Sequence, residues 1–170
     1  MSKAPITETR MLRNAFGAFA TGVAIVAARS AEGVPVGVTV NSFSSLSLNP
    51  PLLLWSLNAN SPTLGVFDHA THFAVNILAA EQIRLSRRFS TRGTHKFANV
   101  PTHAGMEEVP IIEGCAAVLE CSRHARHEVG DHVLYIGRVE RSYYDPTRRP
   151  LVFHRGRYCH AGESIIEAEH

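Results

Sequence analysis

Apolar and polar positions divide this chain into short segments of two different periods. Met11, Leu12, Ala15, Phe16 and Phe19 recur at helical spacing, which predicts a helix over Glu8 to Ala20, capped by Thr7 and ending near Gly22. Val23–Ala28 is an uninterrupted apolar run and reads as a buried strand. Glu32-Gly33 supplies a turn, and Val36–Val40 returns as the second strand of a hairpin. Leu52–Leu57 is a third strand, and Ser61-Pro62 opens a short helix to about Asp68. Phe73–Leu78 follows as a strand, with Val75 and Ile77 β-branched, and Ala80–Phe89 as a helix. Thr91 to Glu113 holds Gly93, Pro101, Gly105 and Pro110 and reads as a long irregular connection, the kind of loop that tends to carry function. Ala116–Cys121 and Val133–Arg141 are the fifth and sixth strands, the latter apolar on both faces. Leu151–Phe153 and Arg157–Cys159 are short strands, and Ser164–His170 is a polar tail expected to fray. Many short strands with few helices predict a mainly β protein, a closed or nearly closed antiparallel barrel without exposed edges.

A length of 170 residues fits one domain that buries roughly 70% of its unfolded surface. The net charge of +2 is too mild for nucleic acid or an anionic membrane to be the main partner. The densest basic stretch, Arg84 to Lys96, reads either as a solvated helix end or as a source of one or two charges for a phosphate. Cys115, Cys121 and Cys159 are odd in number and widely spaced, which fits a reducing, cytoplasmic setting rather than a disulfide scaffold. Ala15–Ala28 mimics a secretory signal, but Thr21-Gly22 splits it, and it is shorter than the ~18 residues of a membrane span.

The chain has no G-x-G-x-x-G after a strand, no G-x-x-x-x-G-K-[ST] and no G-x-S-x-G. His124, His127 and His132 lack a second compact Cys/His pair at zinc spacing, so no metal site is expected. The informative stretch is GVTVNSFSS at Gly37 to Ser45. Thr39, Asn41, Ser42, Ser44 and Ser45 are too polar for a core strand. They suit either a Ser/Thr-rich edge or the lining for a ligand rich in oxygen and phosphate. Asn49-Pro50-Pro51 then stops the chain before Leu52.

These residues carry a resemblance. F-A-T-G-V from Phe19, T-V-N-S-F-S-S from Thr39, N-P-P from Asn49, H-F-A-V-N-I-L from His72, L-S-R-R-F from Leu85, Lys96-Phe97, G-D-H from Gly130 and F-x-x-G-x-Y from Phe153 recur in order over Met11 to Tyr158. Together they resemble the short-chain flavin reductases, the reductase components of two-component flavin-dependent monooxygenases. His95 departs from the acidic residue that many relatives carry before the lysine.

The resemblance implies an FMN-binding split barrel over a core of about residues 11–160, forming a homodimer with flavin near the subunit interface. Leu52–Trp55 is a plausible part of that contact. It implies hydride transfer from NADH or NADPH to FMN or FAD, with reduced flavin passed to a separate monooxygenase. Thr39, Val40, Asn41, Ser42, Ser44 and Ser45 would hold the flavin, with Ser56, Ser61, Lys96 and Phe97 supporting its ring and phosphate. His132 and Tyr158 would face the nicotinamide, and His132 is the candidate catalytic residue, its imidazole being a side chain that titrates near neutral pH. Each has a plainer role: Asn41 as a turn residue, Lys96 as a solvated cation, His132 at a strand start, Tyr158 as packing. The rival functions are a non-reductase flavin- or haem-binding protein of the same barrel, and a DNA-associated domain using Arg84–Lys96.

Overall fold

Residues 6–162 are described by a computed structural model. In chain order they form α1 (Ile6–Gly17), β1 (Thr21–Gly22), β2 (Ala24–Arg29), β3 (Pro35–Val40), β4 (Ser44–Leu48), β5 (Pro51–Asn58), α2 (Leu64–His69) and β6 (His72–Ile77). Then come α3 (Ile83–Ser90), β7 (Thr102–Ala104), β8 (Pro110–Ile112), β9 (Ala117–Val129), β10 (His132–Tyr144), β11 (Leu151–His154) and β12 (Arg157–His160). The principal sheet is antiparallel with strand order β3-β2-β6-β9-β10-β5-β4. β3 also approaches β5, so the sheet curls into a barrel with an open seam. The strand pattern predicts an antiparallel barrel without exposed edges; the outer edge of β4 is unpaired among the described residues, and the split barrel is the one the resemblance implies. Smaller sheets β1-β11-β12 and β7-β8 flank it.

Burial explains the apolar pattern. β2 is buried on both faces: Ala24, Val26 and Ala28 point into the barrel, while Ile25 packs with Leu78, Phe89, Ile112 and Leu151 beneath α3 and β8. Hence Val23–Ala28 shows no alternation. Inside the barrel Trp55 stacks on Tyr135, with centroids 4.7 Å apart, and meets Phe67 and Phe73 edge-on. Asn76 is fully buried yet satisfied: its amide donates to the Ile25 carbonyl at 3.1 Å and its oxygen accepts from Ile112 N–H at 2.9 Å. It thereby ties β8 to the barrel.

Several expected boundaries move. The first helix contains Thr7 rather than being capped by it, and stops at Gly17, short of Ala20. The run to Ser45 is two strands, because Asn41, Ser42 and Phe43 turn the chain from β3 into β4. Ala80–Phe89 divides at Gln82 into a 3-10 turn and α3. The short helix begins at Leu64, after Ser61 and Pro62. Thr91 to Glu113 is not wholly irregular, since it contains the β7-β8 pair. β9 and β10 reach thirteen residues each, far past Cys121 and Arg141. Beyond Ser122, β9 leaves β6 and pairs with β10 alone, so five of its seven residues there are Arg, His or Glu and the apolar signal fades. On β10 Val133 and Tyr135 are buried but Leu134 and Ile136 only half-buried, so one face rather than both is in the core. The tail Ser164–His170 lies outside the described residues.

α2 is fastened to the barrel wall by charge. Arg126 Nε donates to Asp68 Oδ1 at 2.7 Å and its Nη2 to Oδ2 at 3.1 Å, and the Tyr135 hydroxyl donates to the same carboxylate. Arg123 caps the helix by donating to the Phe67 and Asp68 carbonyls. The hydrogen bond from Arg126 is the main cause holding the Asp68 carboxyl below its ordinary value, while burial and Asp68 push Tyr135 up. A depressed folded value means stability gained above the unfolded value of about 3.9 and lost as pH falls through the folded one. Asp68→Asn is therefore expected to lower urea stability at pH 7 by about 1–2 kcal/mol, a charge-assisted bond discounted for partial exposure. Urea titrations between pH 7 and 2.5 should show the gap narrowing once pH drops below about 4. A gap independent of pH would mean that the carboxylate charge is not what holds α2.

Candidate functional site

Small polar residues concentrate where β3 and β5 end, and the fold uses them to frame one cleft of about 430 Å³. Val38 to Ser42 form one wall, and Ser56, Leu57 and Asn58 another. Asn60 to Thr63 close the side toward α2, Phe89 to Arg92 with Lys96 form the far rim, and His132 stands at the start of β10. That volume falls within the ~300–1,000 Å³ common for small-molecule and cofactor sites.

Ser42 holds the two walls together. Its Oγ accepts from Ser56 N–H at 2.9 Å and donates to the Ser56 carbonyl at 3.0 Å. One hydroxyl thus replaces a pair of ladder hydrogen bonds where β3 has ended. Thr39 secures the third wall, its Oγ1 donating to the Ser86 carbonyl in α3 at 2.7 Å. Ser86 is fully buried, and its hydroxyl meets the Tyr158 hydroxyl at 2.8 Å. Gly37 allows α3 to lie this close: a Cβ there would sit 2.7 Å from the Phe89 ring and 3.1 Å from Phe97. Phe97 packs edge-on against Phe89, with centroids 4.8 Å apart.

The rim is cationic. Lys96 Nζ donates to the Phe89 carbonyl at 3.1 Å and so caps α3, and burial lowers its pKa. Neither Lys96 nor Arg92 belongs to an ion pair among the described residues. His95 takes a left-handed φ of 56°, and its carbonyl accepts from Ala98 N–H and Arg88, which fixes the loop before Lys96. Across the cleft His132 Nδ1 lies 2.7 Å from Asp131 Oδ1, and this hydrogen bond holds the Asp131 carboxyl below its ordinary value.

Residues 16–162 match the family described as flavin reductase like domain. The chain belongs to this family. Among similar proteins, the NADH-dependent FMN reductase SmoA of Agrobacterium fabrum is 45% identical over 151 residues, covering 89% of this chain and 85% of that protein. The reductase component of the flavin-dependent trigonelline monooxygenase of Acinetobacter baylyi is 38% identical over 162 residues. That match covers 95% of this chain but 52% of the relative, so the chain spans about half of its length. The Streptomyces globisporus NADH:FAD oxidoreductase SgcE6, solved with NAD and FAD fragments, superposes with a TM-score of 0.88 at 32% identity, covering 98% of this chain and 100% of that one.

In this flavin reductase-like chain the cleft gathers Thr39, Val40, Asn41, Ser42, Ser56, Ser61, Lys96 and His132 of the residues singled out from sequence. It does not gather Ser44 and Ser45, which are exposed on the outermost strand β4. Phe97 lies behind Phe89. Tyr158 packs on Phe153 and bonds to Ser86, with Arg87 5.8 Å above its ring. Arg92, Asn58, Asn60 and Thr63 line the cleft and were not singled out. The polar run straight after Leu57 was the available signal for the latter three. Arg92 was hidden among the other arginines of its stretch. Leu53 and Trp55 are buried in the barrel, so only the half-buried Leu52 and Leu54 of the Leu52–Trp55 segment remain for a subunit contact.

No group of three His, Cys, Asp or Glu among the described residues is arranged to hold a metal. No helix among them is long and apolar enough to cross a membrane. Ser42→Ala leaves both Ser56 backbone groups without their partner. It is expected to cost about 1–3 kcal/mol in urea unfolding and to speed exchange of the Ser56 amide. Unchanged exchange at Ser56 would show that the seam does not rely on this hydroxyl.

Proposed function

We propose that this chain is an NAD(P)H-dependent flavin reductase that supplies reduced FMN or FAD to a separate monooxygenase. The observation that carries the reading is the cleft itself, where small polar residues of two strand ends face two cations that form no ion pair among the described residues. Flavin fits this donor set. Hydroxyls and amides of Asn41, Asn58, Asn60, Ser61 and Thr63 suit the ring edge and ribityl chain, and Lys96 with Arg92 suits the phosphate. The similarity to NADH-dependent FMN and FAD reductases supports the same reading. These relatives are described as reductases of FMN, of FAD or of a flavin-dependent monooxygenase, and nothing supports the non-reductase flavin- or haem-binding alternative.

The flavin and the nicotinamide supply the two-electron chemistry. The chain's residues orient and select. Residues 39–42, held by Ser42 and Thr39, present backbone and small side chains to the flavin ring. Lys96, depressed by burial, regains its charge preference beside a phosphate. His132, oriented by Asp131, stands at the lip of the cleft and is the catalytic candidate because it would touch the reacting ring of a nicotinamide bound there. Ser44 and Ser45 stand outside the cleft on β4, Phe97 backs Phe89, and Tyr158 supports α3 through Ser86. The protein acts as one domain, as a homodimer, in the cytoplasm.

Steady-state oxidation of NADH and NADPH with FMN, FAD and riboflavin tests the reading. Flavin-stimulated oxidation is expected, and its absence with every flavin would sink the proposal. Arg92→Ala and Lys96→Ala should each weaken FMN binding about ten- to a hundredfold, the loss of a charge-assisted bond of roughly 1.5–3 kcal/mol. Riboflavin lacks the phosphate, so its affinity should hold, and an equal loss for both ligands would remove these cations from the phosphate site. His132→Ala should raise the KM for NADH or slow flavin reduction about two- to tenfold while leaving flavin affinity intact. Stopped-flow traces unchanged across NADH concentration would leave His132 a structural residue.

A further inference from the structure

The Lys and Arg residues of this chain are segregated. Residues 83–96 and 148–160 hold nine of the seventeen and none of the fifteen Asp and Glu, so the other eight bases share the rest of the chain with all fifteen acids. The net charge of +2 thus hides a basic field beside an acidic remainder. The two basic segments are neighbours in space. The Ser86 hydroxyl meets that of Tyr158 at 2.8 Å, the Arg87 guanidinium lies 5.8 Å above the Tyr158 ring, and Ala80 N–H donates to the Arg149 carbonyl at 2.9 Å.

Some of these charges are engaged locally. Arg148 pairs with Asp145 at 3.1 Å, and Arg88 donates to the His95 and Ala98 carbonyls. Arg84, Arg87, Arg149, Arg155 and Arg157 are exposed and belong to no ion pair among the described residues. A cation in the last turn of a helix offsets its dipole, which accounts for Arg87 but not for Arg84 or Arg157. Arg84 and Arg87 stand on the exposed side of α3, and the chain runs on from its end to Arg92 and Lys96 at the cleft. Glu81, the nearest acid in sequence, precedes α3 at the end away from the cleft. The eight residues of α3 span about 12 Å. That exceeds the ~8 Å Debye length of physiological salt and lies well inside the ~30 Å of a 0.01 M solution. At low salt, therefore, the whole ridge acts on a charge arriving at the cleft.

We infer that this basic ridge steers phosphate-bearing nucleotides, FMN and the pyridine dinucleotide, into the cleft, acting on their rate of arrival rather than on their bound contacts. The inference rests on the flavin reductase reading and adds to it Arg84, Arg87 and Arg157, which do not line the cleft. A phosphate monoester such as that of FMN carries close to two negative charges at neutral pH. A field of one sign beside a cleft raises the association rate of such a ligand by about ten- to a thousandfold. Riboflavin has the same ring and no phosphate, so it gains nothing from the ridge.

Stopped-flow quenching of flavin fluorescence on the full chain tests this. For the unaltered chain, the FMN association rate should fall about tenfold or more as NaCl rises from about 0.01 M to 0.5 M, while that of riboflavin stays within about twofold. Arg84→Glu combined with Arg87→Glu and Arg157→Glu should lower the FMN association rate at low salt about tenfold and flatten its salt dependence. The FMN dissociation rate and riboflavin binding should not change. A loss confined to the dissociation rate, equal losses for FMN and riboflavin, or association insensitive to the triple reversal would overturn the inference and leave the reductase reading standing. Duplex DNA bound more tightly than FMN, and released by the triple reversal, would overturn it in favour of a polyanion surface. No saturable binding of any flavin by the unaltered chain would overturn both readings. If the triple reversal does not fold, Arg84→Gln with Arg87→Gln decides by the same comparison of FMN with riboflavin.

Discussion

A barrel seam left unpaired would expose backbone groups and let two strand ends drift apart. Here the Ser42 hydroxyl spans that gap, giving and accepting a hydrogen bond with the backbone of Ser56. The cleft's other features depend on this closure. It fixes the spacing between residues 38–42 and 56–58, and so the width available to a planar ligand. β5 is set in turn by Trp55, whose stacking on Tyr135 anchors it to β10. The Asp68 carboxylate then links Tyr135 to α2 and to Arg126 on β9.

The opposite rim is held through α3. Thr39, Ser86 and Tyr158 form a short chain of hydrogen bonds from β3 through the helix to β12, and the missing side chain at Gly37 gives Phe89 its place. The consequence is functional as well as structural. The loop after α3 carries Arg92 and Lys96 to the cleft, so the contacts that seat α3 decide where the cations stand. Such rigid placement is what a hydride-transfer site needs, because a misplacement of about 1 Å between the reacting atoms can slow the step about a hundredfold.

Much of this was legible in the chain. Val23–Ala28, Leu52–Leu57 and Phe73–Leu78 announce buried strands because their apolar faces are continuous or alternating, and the barrel follows from their number. The polar series from Thr39 marked the cleft because no core strand would carry it. The rest depended on tertiary contacts. β9 and β10 were read too short, since a two-stranded extension in solvent needs no apolar face. Ser44 and Ser45 share their residue type with Ser42, yet the turn at Asn41 carries them onto an outer strand. Tyr158 lies in a motif that resembles a nicotinamide contact, but its hydroxyl is engaged by Ser86, a partner seventy-two positions away. Arg92 could not be separated from its neighbours until the loop after α3 was placed.

The central claim is that flavin occupies the cleft between β3, β5 and α3. Hydrogen–deuterium exchange of the full chain with and without saturating FMN tests it most directly. Protection confined to peptides covering 38–42, 56–63 and 89–96 is the predicted result. Another groove, about 510 Å³ and lined by His103, Ile112, Tyr143 and Arg148, offers the contrast. Protection there, with the three cleft segments unchanged, would contradict the account.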